Sequence, residues 1–341
     1  MIRILGAGVS GLTAAVALAR DGHRVELIDE SFAIPSVGTA LGLFPPAQRV
    51  LEQIGALEPV RRRAAMPREG HLLSVGGQVL ATVPAGGGLL VSRSDLVSIL
   101  HDALPASVRC RRERISDVRP LREDAELLIG ADGTHSLVRR SGWPGTAARS
   151  HHVTVLRGTA EIPPPQVSET WGRGWLFGIT PLPGDRTNWF ACVPEHRTGS
   201  RTADLAHLRA VVGGAHPAIG AVLEAARPGT TLVHGIHTAP PVRPVRQNVV
   251  LLGDAAHAMA PNLGHGANTA LVDAATLAAA LRGAGGGASA TGRALRRYAL
   301  ARTVPGQLWR LGSEAMLRLA MMERHAARRD RLIGAVSATV R

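Results

Sequence analysis

Cysteine, tyrosine, lysine and aromatic residues are scarce or missing in this sequence of 341 residues, which has two cysteines (Cys110 and Cys192), one tyrosine, no lysine and 3% aromatic side chains. Two thiols cannot build a disulfide framework, which fits a reducing cytoplasm. No apolar run is long enough to span a bilayer, so stable membrane insertion is not expected. There is no Gly-x-Ser-x-Gly nucleophile elbow and no Cys/His spacing suited to a metal, so neither that hydrolase chemistry nor a metal centre is expected. The formal charge of +13 is carried by arginines that are scattered along the chain and sit in no nucleic-acid motif. The expected consequence is a basic surface without a nucleic-acid partner.

What is present reads as a packed α/β protein. Apolar residues make up 45% of the chain, and its length suits roughly two domains. Arg3 and the apolar run behind it resemble a secretory leader, but Gly6, Gly8 and Gly11 interrupt that run and a second apolar segment follows at Arg24–Ile28. A folded first strand and helix is the expectation. The strand Met1–Leu5 and the helix Leu12–Arg20 enclose Gly6-Ala7-Gly8-Val9-Ser10-Gly11, a G-x-G-x-x-G motif in its strand–turn–helix setting. Gly6 permits the tight turn, Gly8 lets a pyrophosphate approach the backbone, and Gly11 lets strand and helix pack closely. The amides at the start of the helix, around Val9 and Ser10, then face the phosphates. Arg24–Ile28 ends in Asp29-Glu30, and Asp29 stands 23 residues after Gly6, placed to accept from adenosine ribose hydroxyls, with Glu30 as the alternative.

Two later segments repeat this geometry. Glu126–Ile129 runs into Gly130-Ala131-Asp132-Gly133, and Gln247–Leu252 runs into Gly253-Asp254-Ala255-Ala256. Ligands of open α/β sheets bind outside the carboxyl ends of the strands, so these strand ends point at one crevice.

Together these segments resemble the FAD-dependent aromatic hydroxylase family, the para-hydroxybenzoate hydroxylase-like flavoprotein monooxygenases. The resemblance rests on Gly6–Gly11, on Ile129-Gly130-Ala131-Asp132-Gly133-Thr134-His135-Ser136-Leu137-Val138-Arg139, on the long segment from Gly253 through Pro261 to Asn268, and on Ser92-Arg93-Ser94-Asp95-Leu96. It implies that Asp254 hydrogen-bonds the ribityl chain of FAD and that Arg93 approaches the flavin and pyrophosphate. It also implies that Asp132 supports the cofactor and a transient nicotinamide site, and that Pro261 lies beside the isoalloxazine ring. Gly264, Gly266, Ala267 and Asn268 belong to a loop and helix start whose amides face the pyrimidine side of the ring. The chain departs from the pattern at His265, where many relatives carry glutamine, and between Arg114 and Glu126, where relatives fit a longer strand pair.

The implied activity is an NADPH- or NADH-consuming monooxygenase that inserts one atom of O2 into a small organic substrate, aromatic or polyketide-like, by way of a flavin hydroperoxide. An FAD-dependent reductase or oxidase is the alternative. Flavin-dependent halogenases are excluded, since their catalytic lysine and Trp-x-Trp-x-Ile-Pro motif are absent. The cofactor carries the chemistry, so no protein acid or base is assigned; His71, His237 and His257 have no partner evident in the sequence.

The expected architecture is a Rossmann-like FAD-binding domain, doubly wound on a mostly parallel sheet, with an inserted antiparallel-sheet substrate domain and C-terminal helices. The expected bounds are 1–64, 88–142 and 246–285 for the first, 65–87 and 143–245 for the second, and 286–341 for the helices. Thr170–Ile179 and Arg186–Val193 read as antiparallel strands joined around Pro181–Asp185. Trp143, Trp171, Trp175 and Trp189, within Trp143–Val245, offer an aromatic substrate pocket as one reading, but ordinary strand core is the expectation. A glycine-rich linker at Gly283–Gly287 precedes amphipathic helices that pack back on the body. A monomer or homodimer is expected.

Overall fold

The computed structural model describes residues 1–284 and 287–339; Gly285 and Gly286 of the expected linker, and Val340 and Arg341 of the tail, lie outside the described residues. The first part of the chain runs β1 (Ile2–Leu5), α1 (Val9–Arg20), β2 (Val25–Asp29), β3 (Ala40–Leu43), α2 (Pro45–Gln53), α3 (Leu57–Arg62), β4 (Ala64–Ala65), β5 (Glu69–Leu73), β6 (Val79–Pro84), β7 (Leu89–Ser92), α4 (Arg93–Asp102), β8 (Arg109–Arg112), α5 (Arg119–Glu123), β9 (Leu127–Gly130) and α6 (Leu137–Gly142). The middle holds β10 (Arg149–Ala160), β11 (Ser168–Trp171), β12 (Leu176–Leu182), β13 (Arg186–Pro194), α7 (Arg201–Val211), α8 (Pro217–Ala225) and β14 (Thr231–Thr238). The last part holds β15 (Val245–Arg246), β16 (Val249–Leu251), α9 (Asp254–His257), α10 (Gly266–Leu281), α11 (Ala288–Ala320) and α12 (Ala326–Thr339).

Alternation in short apolar strands makes the central sheet two-faced. Ile2 and Ile4 join Leu27, Ile129 and Val250 in a core shared with α1, α4 and α10. Leu5, Ile28, Leu128 and Leu251 point the other way, onto Leu121 and Val138. The strand order is β15-β16-β9-β1-β2-β8, parallel throughout except for the β15–β16 pair. Helices on both faces of a parallel sheet make this a doubly wound α/β fold. Where the sequence suggested a trimmed strand pair after Arg114, the short helix α5 covers the sheet instead, and Arg3 Nη1 donates to Leu121 O at 3.1 Å.

The second sheet has seven strands in the order β14-β10-β13-β12-β11-β5-β6. Its pairs are antiparallel except β11 with β5. One face, with Leu156, Phe177 and Trp189, packs on α7 and α8. The other, with Val155, Leu176 and Cys192, packs on Leu317 of α11 and on Ala260. The stretch Thr170–Ile179 is not one strand as expected but a hairpin of β11 and β12. Gly172 breaks it, because the Trp175 ring folds back to where a Gly172 Cβ would stand, 2.0 Å from ring carbon. A small sheet, β3-β7-β4, lies at the junction of the two large ones: Asn188 of β13 accepts from Ala40 N of β3 at 2.8 Å.

The glycine turn after β1 is fixed by contact. A Cβ on Gly11 would lie 1.8 Å from Gly6 O, and one on Gly6, whose φ is +107°, would lie 2.3 Å from Ala131 O. Around Gly8 there is nothing within 4 Å. Gly11→Ala is therefore expected to destabilise the ligand-free protein by about 2–4 kcal/mol, because backbone must move to admit the methyl group. Gly8→Ala, in the same loop, should leave the ligand-free melting temperature nearly unchanged. Thermal melts of the two variants check this, and equal losses would contradict the packing account.

Candidate active site

Four strands of the central sheet end along one edge, where the loops after β1, β2, β9 and β16 meet. Gly6 N donates to Ile28 O at 2.8 Å, Ala131 N to Leu5 O at 2.8 Å and Leu252 N to Gly130 O at 2.9 Å, which ties the strand ends together. Helix α1 starts here without a side-chain cap, since its N-cap is Gly8; its first turn contains Val9 and Ser10, both buried. Asp29 Oδ2 accepts from Ala7 N at 2.6 Å and Oδ1 from Ser31 N at 2.8 Å, so this carboxylate steadies the glycine loop. Glu30 is exposed and turns outward to Arg114, 3.5 Å away. Of the two acids, Asp29 is the one on the loop.

The next strand end is organised from within. Asp132 accepts from Ser136 Oγ at 2.5 Å, Leu137 N at 2.7 Å and Val138 N at 3.1 Å, closing the first turn of α6. Burial raises its pKa against the pull of these donors. Arg139 is fully buried and donates to Thr134 O at 2.6 Å, Ala255 O at 2.9 Å and Thr146 O at 3.0 Å. One guanidinium thus binds the turn after β9 to the turn after β16.

The turn after β16 is held from its other side by Asp273 of α10. Asp273 Oδ2 accepts from His257 Nε2 at 2.7 Å and Gly253 N at 2.9 Å, and Oδ1 accepts from Arg302 Nε at 2.7 Å. Burial opposes ionisation of Asp273, but His257 and Arg302 outweigh it and hold the carboxyl below the usual range. His257 therefore has a partner where the sequence offered none. His71 lies 3.3 Å from Thr82 Oγ1, and His237 meets Gly235 O at 3.3 Å and the His135 ring edge-on.

Asp254 sits at the crevice floor, open toward the crevice and enclosed by protein on its other sides. Burial raises its pKa, moderated by the charges of Arg93 and His257 and by Thr134. Pro261 and Gly264 of the following loop are exposed, and Gly264 has a φ of +64°. Among the described residues nothing lies within 4 Å of a Gly264 Cβ, and a Gly266 Cβ would meet only Asp254 Oδ1, at 3.9 Å. Helix α10 begins at Gly266 and Ala267 without a side-chain cap, so its first amides remain available. Asn262 Oδ1 is buried without a partner among the described residues. The Asn268 amide accepts from Phe44 N at 2.8 Å and donates to Gly42 O at 2.7 Å and Gly264 O at 3.0 Å. It anchors the loop to β3. His265 is stacked between Phe44 (4.8 Å) and Trp309 (3.5 Å), an aromatic setting that glutamine would not fill in the same way.

Arg93 opens α4 just after the Ser92 cap and is exposed. Its charge acts on Asp254 of the crevice floor and on Arg157 and His234 of the second sheet. Those two residues, with Phe190 and Glu169, lie on the sheet face that meets Ala260, and sequence reasoning missed them. An arginine within the otherwise uncharged run Val153–Ala160 was the available signal. Burial and the Arg93 charge push Arg157 down to about 10. Burial, then Arg157 and Arg93, push His234 down to about 4, so it is neutral near pH 7. Glu169 accepts from Trp171 Nε1 at 2.6 Å, and burial lifts its carboxyl to about 7. Trp171, Trp175 and Trp189 are buried core and Trp143 is half-buried.

The set suits a dinucleotide with a diphosphate and a polyol. Two uncapped helix starts face one edge, two glycine positions border open space, and a cation and a carboxylate flank them. FAD fits this arrangement.

Comparison with known proteins agrees. The FAD binding domain family matches residues 85–304, and an NAD(P)-binding Rossmann-like domain matches residues 4–32. The chain is 34% identical to 3-amino-4-hydroxybenzoate 2-monooxygenase of Streptomyces cremeus, over 82% of this chain and 78% of the relative. It is 29% identical to aurachin C monooxygenase/isomerase of Stigmatella aurantiaca, over 82% and 80%. The fold is that of Klebsiella pneumoniae HpxO complexed with FAD and uric acid, with a TM-score of 0.83 over 100% of this chain and 96% of that one at 24% identity.

Three outcomes follow from this geometry. Asp273→Ala leaves His257 and Arg302 buried without their anion and should cost about 3–5 kcal/mol, seen as a large drop in melting temperature. Asp254→Ala should melt like the unaltered protein yet retain FAD at least about tenfold more weakly, since a charged hydrogen bond is lost; unchanged flavin occupancy after gel filtration would refute that role. Glu169 has a raised folded pKa, so its contribution to stability is present below about pH 4.5 and is lost as pH rises toward about 7. Melts of Glu169→Gln should therefore gain on the unaltered protein between pH 5 and pH 8.

Proposed function

The chain belongs to the family of FAD-dependent aromatic hydroxylases and is an FAD-dependent monooxygenase; from that premise we propose that it consumes NADPH or NADH and O2 to place one oxygen atom on a small aromatic or polyketide-like molecule. The observation that carries the reading is the pair of uncapped helix starts that flank Asp254 at one sheet edge. Bound FAD would supply the redox chemistry, accepting a hydride equivalent and activating oxygen for transfer.

The protein's part is to bind, orient and shield. Gly6, Gly8, Val9, Ser10 and Gly11 would cradle the diphosphate on α1 amides. Asp29, steadied by Ala7 and Ser31, retains lone pairs for ribose hydroxyls. Arg93 would neutralise phosphate or ring charge, and Asp254 would accept from the ribityl chain. The amides at Gly266 and Ala267 would meet negative charge on the pyrimidine side without reorganising, while Pro261 and Gly264 leave room at the ring. Asp132 and Asn268 would act by fixing the turns around the cofactor, the one through α6 and the other through Gly42, Phe44 and Gly264.

We further read residues 1–64, 88–142 and 246–285 as the FAD-binding body, 65–87 and 143–245 as the substrate sheet and 286–341 as helices covering both. Among the described residues no helix is long and apolar enough to cross a membrane; a cytoplasmic location is part of the proposal. Two relatives named above are monooxygenases by name, which favours oxygen transfer over the reductase or oxidase alternative.

The test begins with colour. Purified protein should be yellow, or become so on reconstitution with FAD. With a panel of hydroxylated and amino-substituted aromatic acids and quinolones, NAD(P)H oxidation should require substrate and should place 18O from labelled O2 in the product. Equal turnover without oxygen would favour the reductase instead.

A further inference from the structure

The face of the seven-stranded sheet that looks toward Ala260 carries a cation that no anion among the described residues pairs. Arg157 of β10 pairs directly with Phe190 of β13 and Leu232 of β14, and Val155, two residues earlier, pairs with His234. Side chains opposite one another share a face, as do residues two apart in a strand. Arg157, Phe190 and His234 therefore project on the same side as Val155 and Ile236, which pack with Ala260 beside Pro261. Arg157 Nε is sealed from solvent and has no acceptor among the described residues. Among the described residues its terminal nitrogens meet no acceptor either, and they are not sealed, so the fork of the guanidinium stays open on this sheet face.

The charges around it are of the wrong sign to explain it. Arg93 is the charged group that acts on Arg157, and His234 beside it is neutral. The acid on this face, Glu169, stands across the two intervening strands β13 and β12, about 14 Å away at ~4.8 Å per strand, and is engaged by Trp171. Between them lies the Phe190 ring, directly over Gly178, where a Cβ would fall 2.1 Å from ring carbon. A largely buried arginine without a counter-ion is destabilising in the free protein, and its planar donors match a carboxylate or a ring oxyanion in two parallel hydrogen bonds.

We infer that Arg157 selects an anionic substrate, binding the carboxylate or oxyanion of a ring that lies against Phe190, with His234 as a hydrogen-bonding neighbour and Arg93 as the outer cation. The inference rests on the proposed monooxygenase reading and names the substrate's charge. The same anion chemistry could instead be that of the cofactor, so the test separates the two.

FAD-loaded protein is titrated with benzoate, nicotinate and quinoline-4-carboxylate, each against its neutral amide, and binding is followed by perturbation of the flavin spectrum and by calorimetry. At least one acid should bind about tenfold or more tighter than its amide, the margin of a charged hydrogen bond. Arg157→Met should abolish that margin and Arg157→Lys should keep part of it, while FAD affinity stays within about twofold. Because Arg157→Met removes an unpaired buried charge, its melting temperature should equal or exceed that of the unaltered protein; a structural arginine would give a lower one. The inference is overturned if no acid is preferred over its amide, if Arg157→Met keeps the preference, or if that variant loses FAD instead. Failure to bind FAD in the unaltered protein would overturn the functional reading itself.

Discussion

The turn from Gly253 to His257 is gripped by two buried charges, Arg139 on one side and Asp273 on the other, and the crevice depends on that grip. Arg139 holds the turn through the carbonyl of Ala255. Asp273 holds it through Gly253 N and His257 Nε2. A short helix such as α9 has little stability of its own, so its position is set by these bonds. Asp254 inherits its place from them. Neither clamp stands alone: Arg139 reaches Thr134 and thereby the turn after β9, and Asp273 reaches Arg302 on α11. The long helix α11 is in this way part of the crevice's frame.

A second division of labour runs between the two large sheets. The parallel sheet supplies backbone: amides at helix starts, glycine positions and carbonyls. Such groups recognise phosphates and polyols whatever the rest of the ligand is. The antiparallel sheet supplies side chains, among them Phe190, Arg157, His234 and Glu169, and these can differ from one protein to another on an unchanged frame. In the proposed function, general recognition and particular recognition fall to different parts of one fold.

This division also explains what could be read in the sequence. Gly6, Gly11 and Asp29 at the end of β2 are legible because backbone contact at fixed spacing admits few other residues. The doubly wound sheet follows from the same short apolar strands with small residues at their ends. The clamp residues were less visible: Asp273 sits inside a helical pattern and finds its partners 16 and 29 residues away. Arg157 and Glu169 acquire meaning only when pairing fixes which face each occupies. The hairpin at Gly172 was hidden because Trp171, Trp175 and Phe177 make the segment look like one continuous strand. Asn268 stood in a motif associated with the cofactor, yet its amide is fully engaged by Gly42, Phe44 and Gly264.

The pairing of β1 carries a consequence for how the chain matures. Ile2 lies against Val25 on one side and Leu127 on the other, and the strand beyond β9 begins at Val249. During synthesis β1 can pair early with β2, but its other edge stays bare until the chain has been made past Leu127, and loop closure over such separations is slow. The clamp on α9 closes later still, once Arg302 has emerged to meet Asp273. Every glycine and acid of the crevice precedes that residue. The crevice residues are thus all synthesised before the bond that completes the frame around them can form, and until then the free edge of β1 is exposed to non-native pairing.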